Sequence, residues 1–158
     1  YRQNKKGDLE LEKKYNLQHI KWPIDKEILY TNVPDVLEKL KQNFYIGIIA
    51  NQTLGTKERL EKWKILRYID LVIASAEEGC SKPDLKIFEI ALKRAGCKPN
   101  EAIMIGDRID NDILPAKKIG MHTMWLKQGF GGYWSITCEH EKAELVVNNI
   151  TEVYESLC

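Results

Sequence analysis

The stretch Ala102-Ile103-Met104-Ile105-Gly106-Asp107-Arg108-Ile109-Asp110-Asn111-Asp112 governs how this chain is read. A short apolar run with no polar interruption reads as a strand buried on both faces, the pattern of a parallel sheet. It runs directly into three carboxylates spread over six residues. Carboxylates this close repel one another unless a cation lies between them or a helix N-terminus accepts their charge. The spacing is not that of an EF-hand, because the required glycine and terminal glutamate are missing.

Similar runs flank this strand. Tyr45 to Ala50 reads as a buried strand ended by Asn51-Gln52-Thr53, and Leu71 to Ala74 as another, followed by a loop from Ser75 to Pro83. Met121 to Leu126 and Leu145 to Val147 complete the set. Between them lie helical patterns. Val33, Val36, Leu37 and Leu40 share one face, with Asn32 as N-cap and Pro34 in the first turn. Leu60, Trp63 and Leu66 mark a helix over residues 56 to 67, and Leu85, Phe88, Leu92 and Ala95 one from Asp84 to Ala95, stopped by Gly96. Residues 111 to 119 suggest a helix closed by Gly120, and Ile150 to Leu157 the last. A weaker helical pattern covers residues 8 to 18, broken at Trp22-Pro23. Strands alternating with helices predict an α/β fold, a three-layer Rossmann-like, mostly parallel sheet with helices on both faces.

Such sheets bind ligands at the carboxyl ends of their strands. Asn51, Lys82 and the Asp107–Asp112 loop stand at successive strand ends. An amide, an ammonium and carboxylates on one edge suit a divalent cation beside a phosphate. Pro83 near the start of the long helix adds a helix N-terminus, with Lys82 supplying a full positive charge beside it.

The 158 residues carry 24 Lys plus Arg against 23 Asp plus Glu, a net charge of +1, which argues against a dedicated nucleic-acid binder. At 44% hydrophobic and 30% charged, the composition is globular. No apolar run approaches a membrane span, and no secretory signal opens the sequence. Cys80, Cys97, Cys138 and Cys158 form no C-x-x-C pair and read as free thiols in a reducing cytoplasm. Gly129-Phe130-Gly131-Gly132 lacks the spacing of a phosphate loop and reads as a flexible connection, and His19, His122 and His140 are too scattered for a metal site.

Taken in order, Ser81-Lys82-Pro83-Asp84 with Ile87-Phe88, then Ile105-Gly106-Asp107 through Asp112-Ile113 with Ala116 and Gly120-Met121, resemble the third and fourth motifs of the haloacid dehalogenase (HAD) superfamily of phosphohydrolases. Ile48-Ile49-Ala50-Asn51 resembles its second motif. The resemblance covers residues 30 to 157 and implies a Mg²⁺-dependent phosphomonoester hydrolase acting on a small phosphorylated metabolite through an aspartyl-phosphate. It implies that Lys82 is catalytic and binds phosphate, that the Asn51 N–H points at the same oxygens, and that Asp107 and Asp112 hold Mg²⁺. The balanced charge and the lack of a long apolar run predict neither nucleic-acid nor membrane partners, and the oligomeric state is left open.

The sequence departs from the family twice. Ala50 stands where the family has a Thr or Ser hydroxyl, and Asn51 or Thr53 would have to replace that donor. The family's nucleophile opens an Asp-x-Asp motif at the end of a first strand, yet the only Asp-x-Asp here, Asp110-Asn111-Asp112, lies inside the metal loop. In the family that strand is the middle of the sheet. The expectation is therefore a core over residues 31–158 lacking its first strand, preceded by a remnant of a helical cap over residues 1–30. The nucleophile would come from an N-terminal segment outside these residues, or from another chain. The alternative is a truncated or non-catalytic metal- and phosphate-binding module. A receiver domain of signalling systems fits less well, because its carboxylates precede its lysine.

Overall fold

The computed structural model describes residues 10, 12–16 and 26–158. The cap remnant and the weak helical pattern over residues 8–18 lie partly outside the described residues, and His19 and Trp22-Pro23 wholly so. The chain runs α1 (Val33–Lys41), β1 (Gly47–Ala50), α2 (Thr56–Lys62), β2 (Leu71–Ala74), α3 (Ser75–Glu78), α4 (Leu85–Ala95), β3 (Ile103–Gly106), α5 (Leu114–Lys118), β4 (His122–Leu126), β5 (Leu145–Val147) and α6 (Ile150–Leu157).

All strand pairs are parallel. Gly47 to Ala50 align one to one with Leu71 to Ala74, Ile103 to Gly106 with His122 to Trp125, and Met124 to Leu126 with Leu145 to Val147. The ladder is in two pieces, β1-β2 and β3-β4-β5. Among the described residues, β1 and β3 each lack a partner on one edge. Packing nevertheless joins the pieces. The period of two along each strand sends alternate side chains to opposite faces. Met104 and Ile73 enter one cluster with Ile87, Phe88, Leu92 and Ala116 of α4 and α5, while Ile103, Ile105 and Ile46 pack in another with Val36 and Leu40 of α1 and Val153 of α6. Helices thus cover both faces, as the alternating pattern predicts. Phe88, Ile87 and Ile73 are fully buried, and truncating Phe88 to Ala costs about 3–5 kcal/mol at such a position.

Four local expectations are revised. The helix expected over residues 56 to 67 ends at Lys62, because Lys64 takes a left-handed φ of 60°, and a short 3₁₀ turn, Leu66–Tyr68, follows. The loop expected after β2 opens with α3, a single turn closed by Gly79 at φ 67°. The helix expected over residues 111 to 119 is wound in two ways: Ile109–Ile113 form a π-turn before α5 begins. Finally, Gly129–Tyr133 is a 3₁₀ turn with Gly131 buried, not a loose connection.

Candidate metal and phosphate site

The π-turn after β3 arranges the acidic loop. Ile109 and Ile113 are fully buried against Trp125, which fixes both ends of the turn. The N–H groups of Asp112 and Ile113 both donate to Arg108 O, at 2.8 and 3.3 Å. A wide turn of this kind is commonly found at functional sites. Here it separates the carboxylates. Asp110 turns to Arg108 and accepts from its Nε (2.8 Å) and Nη2 (2.5 Å), an ion pair that holds the Asp110 carboxyl below its ordinary pKa. Asp112 turns inward and is 3% exposed. Its Oδ2 accepts the Arg108 N–H at 3.0 Å. Its Oδ1 is buried and receives no hydrogen bond; Lys82 Nζ stands 2.6 Å away, off the hydrogen-bond direction.

Asp107 lies half-buried beside this pair, and burial, followed by the repulsion of the Asp112 carboxylate, pushes its pKa up. Its carbonyl accepts the Trp125 indole N–H at 3.0 Å. Gly106 makes the approach possible: a Cβ there would fall 2.5 Å from Asp112 Cβ, Cγ and Oδ2. The sequence held the signal for Gly106 in the Gly-Asp step that closes β3. Nothing local in it pointed to Trp125.

Lys82 is carried by the segment between α3 and α4 and is locked to the end of β1. Its N–H donates to Asn51 Oδ1 and its carbonyl accepts from Asn51 Nδ2, both at 2.8 Å. The Asn51 side chain is therefore occupied in holding Lys82. The helix N-terminus read beside Lys82 is likewise occupied: α4 starts at Leu85, and the Asp84 carboxylate caps it by accepting from the Lys86 N–H at 3.0 Å. Thr53 is also engaged, with its carbonyl accepting from the Thr56 hydroxyl and its own hydroxyl from Arg59. Lys82, Asp107 and Asp112 thus converge, Asn51 joins them through the Lys82 peptide, and Asp110 faces away.

The donor set fits a hard divalent cation in part. Mg²⁺ keeps several waters and takes only one or two protein carboxylates. Asp107 and the undonated Asp112 oxygen supply such a pair, and a bound cation would relieve their mutual repulsion. Among the described residues no group of three or more His, Cys, Asp or Glu side chains converges as a complete metal cage.

A parallel α/β sheet with one ammonium and two carboxylates gathered at its carboxyl edge places the chain among Rossmann-like α/β proteins. Within that class, this chain belongs to the haloacid dehalogenase-like hydrolase family, whose model matches residues 2–126. It is 36% identical over 124 residues to a glyceraldehyde 3-phosphate phosphatase of Pyrococcus furiosus, covering 77% of this chain and 51% of that protein. It is 34% identical to the pyrimidine 5'-nucleotidase YjjG of Escherichia coli, covering 70% and 53%. A crystal structure of a HAD phosphatase from Thermococcus onnurineus superposes with a TM-score of 0.73 at 26% identity, over 94% of this chain and 63% of that one. The chain spans about half the length of the curated relatives it matches.

Proposed function

We propose that these residues form the metal- and phosphate-binding part of a Mg²⁺-dependent phosphomonoester hydrolase acting on a small phosphorylated metabolite. The supporting observation is the buried Asp112 oxygen, which lacks a hydrogen-bond donor and lies 2.6 Å from Lys82 Nζ and beside a half-buried Asp107. Lys82 gives this oxygen one counter-charge, but two adjacent carboxylates against one ammonium leave an excess of negative charge that a bound cation would balance.

Asp107 and Asp112 would hold Mg²⁺, which when bound supplies Lewis-acid neutralisation of the phosphoryl oxygens. Lys82 places its ammonium on the same oxygens and stabilises the charge that builds on them. Asn51 fixes Lys82 in place through its side chain, and the Asn51 N–H would point at the phosphate. The attacking carboxylate would come from a strand outside the described residues, paired with the open edges of β1 and β3. Its oxygen would bond to phosphorus as the P–O ester bond breaks, the leaving oxygen taking a proton from a general acid outside the described residues; water would then add to phosphorus, return its proton to that acid and free the carboxylate and phosphate. The named activities of the relatives suggest a triose phosphate or a pyrimidine nucleoside monophosphate as substrate. The four unbridged cysteines, two of them exposed, suit a reducing, cytoplasmic setting. Among the described residues no helix is long and apolar enough to cross a membrane.

A second reading, a binding module without turnover, is favoured by Ala50, which offers no hydroxyl. One experiment separates the two. Phosphate release from glyceraldehyde 3-phosphate, a pyrimidine 5'-monophosphate and an aryl phosphate is measured with and without millimolar Mg²⁺, alongside calorimetric titration of Mg²⁺. Metal-dependent turnover establishes the hydrolase. Metal binding without turnover selects the binding module, and an absence of Mg²⁺ binding overturns both.

A further inference from the structure

We propose that Gly131 is a positioning residue that holds Asp107 in place, so that the turn after β4 forms the outer wall of the metal site. This rests on the metal reading given above. Gly131 is buried although its neighbours Phe130 and Tyr133 are 93% and 86% exposed. Its Cα faces Asp107 directly. A Cβ added at Gly131 would lie 2.6 Å from both the carbonyl carbon and Oδ2 of Asp107, and closer still to the carbonyl oxygen. Contacts that short do not occur, and the obstacle is largely backbone, which cannot swing aside. Two groups therefore pin the same peptide from the β4 side, the Trp125 indole N–H at 3.0 Å and the bare face of Gly131.

A half-buried carboxylate beside a second one needs such confinement, because repulsion from Asp112 drives it outward toward solvent. Packing Gly131 against Oδ2 closes that route. The glycine's role is clearance rather than backbone freedom, since the positive φ of this turn belongs to Gly129, at 64°.

The test compares Gly131→Ala with Phe130→Ala, an exposed change in the same turn. Two readouts are taken on the full chain: Mg²⁺ affinity by calorimetry, and the position and solvent exchange of the Trp125 indole N–H in ¹H–¹⁵N spectra recorded without metal. Gly131→Ala is expected to weaken Mg²⁺ binding at least tenfold and to displace the indole signal, while Phe130→Ala changes neither. An unmoved indole signal together with unchanged affinity in Gly131→Ala overturns the proposal, as does an equal effect from Phe130→Ala. If Gly131→Ala does not fold, Trp125→Phe removes the other restraint and is expected to weaken Mg²⁺ binding about threefold; no change there counts against the proposal. A parent chain that binds no Mg²⁺ defeats the metal reading, and the indole shift alone then decides whether the turn holds Asp107.

Discussion

At the end of β3 the site's side chains are held by burial, whereas at the end of β1 they are held by hydrogen bonds at the surface. Asp112 is buried in a turn whose ends, Ile109 and Ile113, are fully buried, and Gly106 clears its approach. Asn51, by contrast, is exposed, and two 2.8 Å bonds to the Lys82 peptide are its connection to the rest. Lys82 bridges the two regions. The carboxylates therefore sit in a fixed frame, while the ammonium depends on a clamp that one substitution undoes.

The sharpest way to break this comparison is Asp107→Asn. It removes a charge from the rigid side and should abolish Mg²⁺ binding and lower any phosphatase rate about 100-fold or more, with the circular dichroism spectrum unchanged. Lys82→Ala comes next. It strands Asp112, whose side chain is 4% exposed, without a counter-charge, and removing one partner of such a pair costs about 3–5 kcal/mol. Urea melts should show that loss without metal, and saturating Mg²⁺ should recover part of it by mass action. A loss that Mg²⁺ leaves untouched would mean that the cation does not reach Asp112.

On the surface side, Asn51→Ala should cost about 1–2 kcal/mol for its two exposed hydrogen bonds and raise KM for the phosphoester more than it lowers kcat. A stability loss as large as that of Lys82→Ala would erase the distinction between the two ends. A pH series sharpens the comparison further. Protons compete with metal at Asp107, and burial with the neighbouring Asp112 raises its pKa. Mg²⁺ affinity should therefore fall as pH drops, beginning above the ordinary aspartate range near 3.8. The smallest effect is expected far from the site. Asp70 pairs with Lys41 and accepts the Ile46 N–H, which lowers its pKa. Its stabilisation is present above the unfolded value near 3.8 and lost as pH falls through the lower folded value. Because the pair is partly exposed, Lys41→Met should cost under about 1 kcal/mol by thermal melt.

Much of the architecture was legible in the sequence because it follows from local periodicity. The apolar runs of β2 and β5, and the stripe of α6, fall where the spacing puts them. Asp107 was legible because it directly follows β3, and Lys82 because it stands in the segment that leads from β2 to α4. What escaped was set by contacts between distant segments. The π winding at Ile109–Ile113 depends on Trp125 packing across from β4, and nothing in residues 109 to 113 alone distinguishes it from an ordinary helical turn. The glycines of the Gly129–Tyr133 turn carry no pattern that fixes its shape, and its tightness appears only beside Asp107. The Asn51 side chain serves Lys82, a pairing across 31 residues of chain that spacing does not reveal.

The wide winding after β3 also makes the loop sensitive to its length. An α-helix advances about 100° per residue, 3.6 residues to the turn, and a π-turn takes in about one residue more. Deleting Asn111, whatever its own side chain does, would swing the following carboxylate about a quarter of the way around the axis and out of the frame. Across relatives, then, this segment should tolerate exchanges of side chain far more readily than gain or loss of a single position.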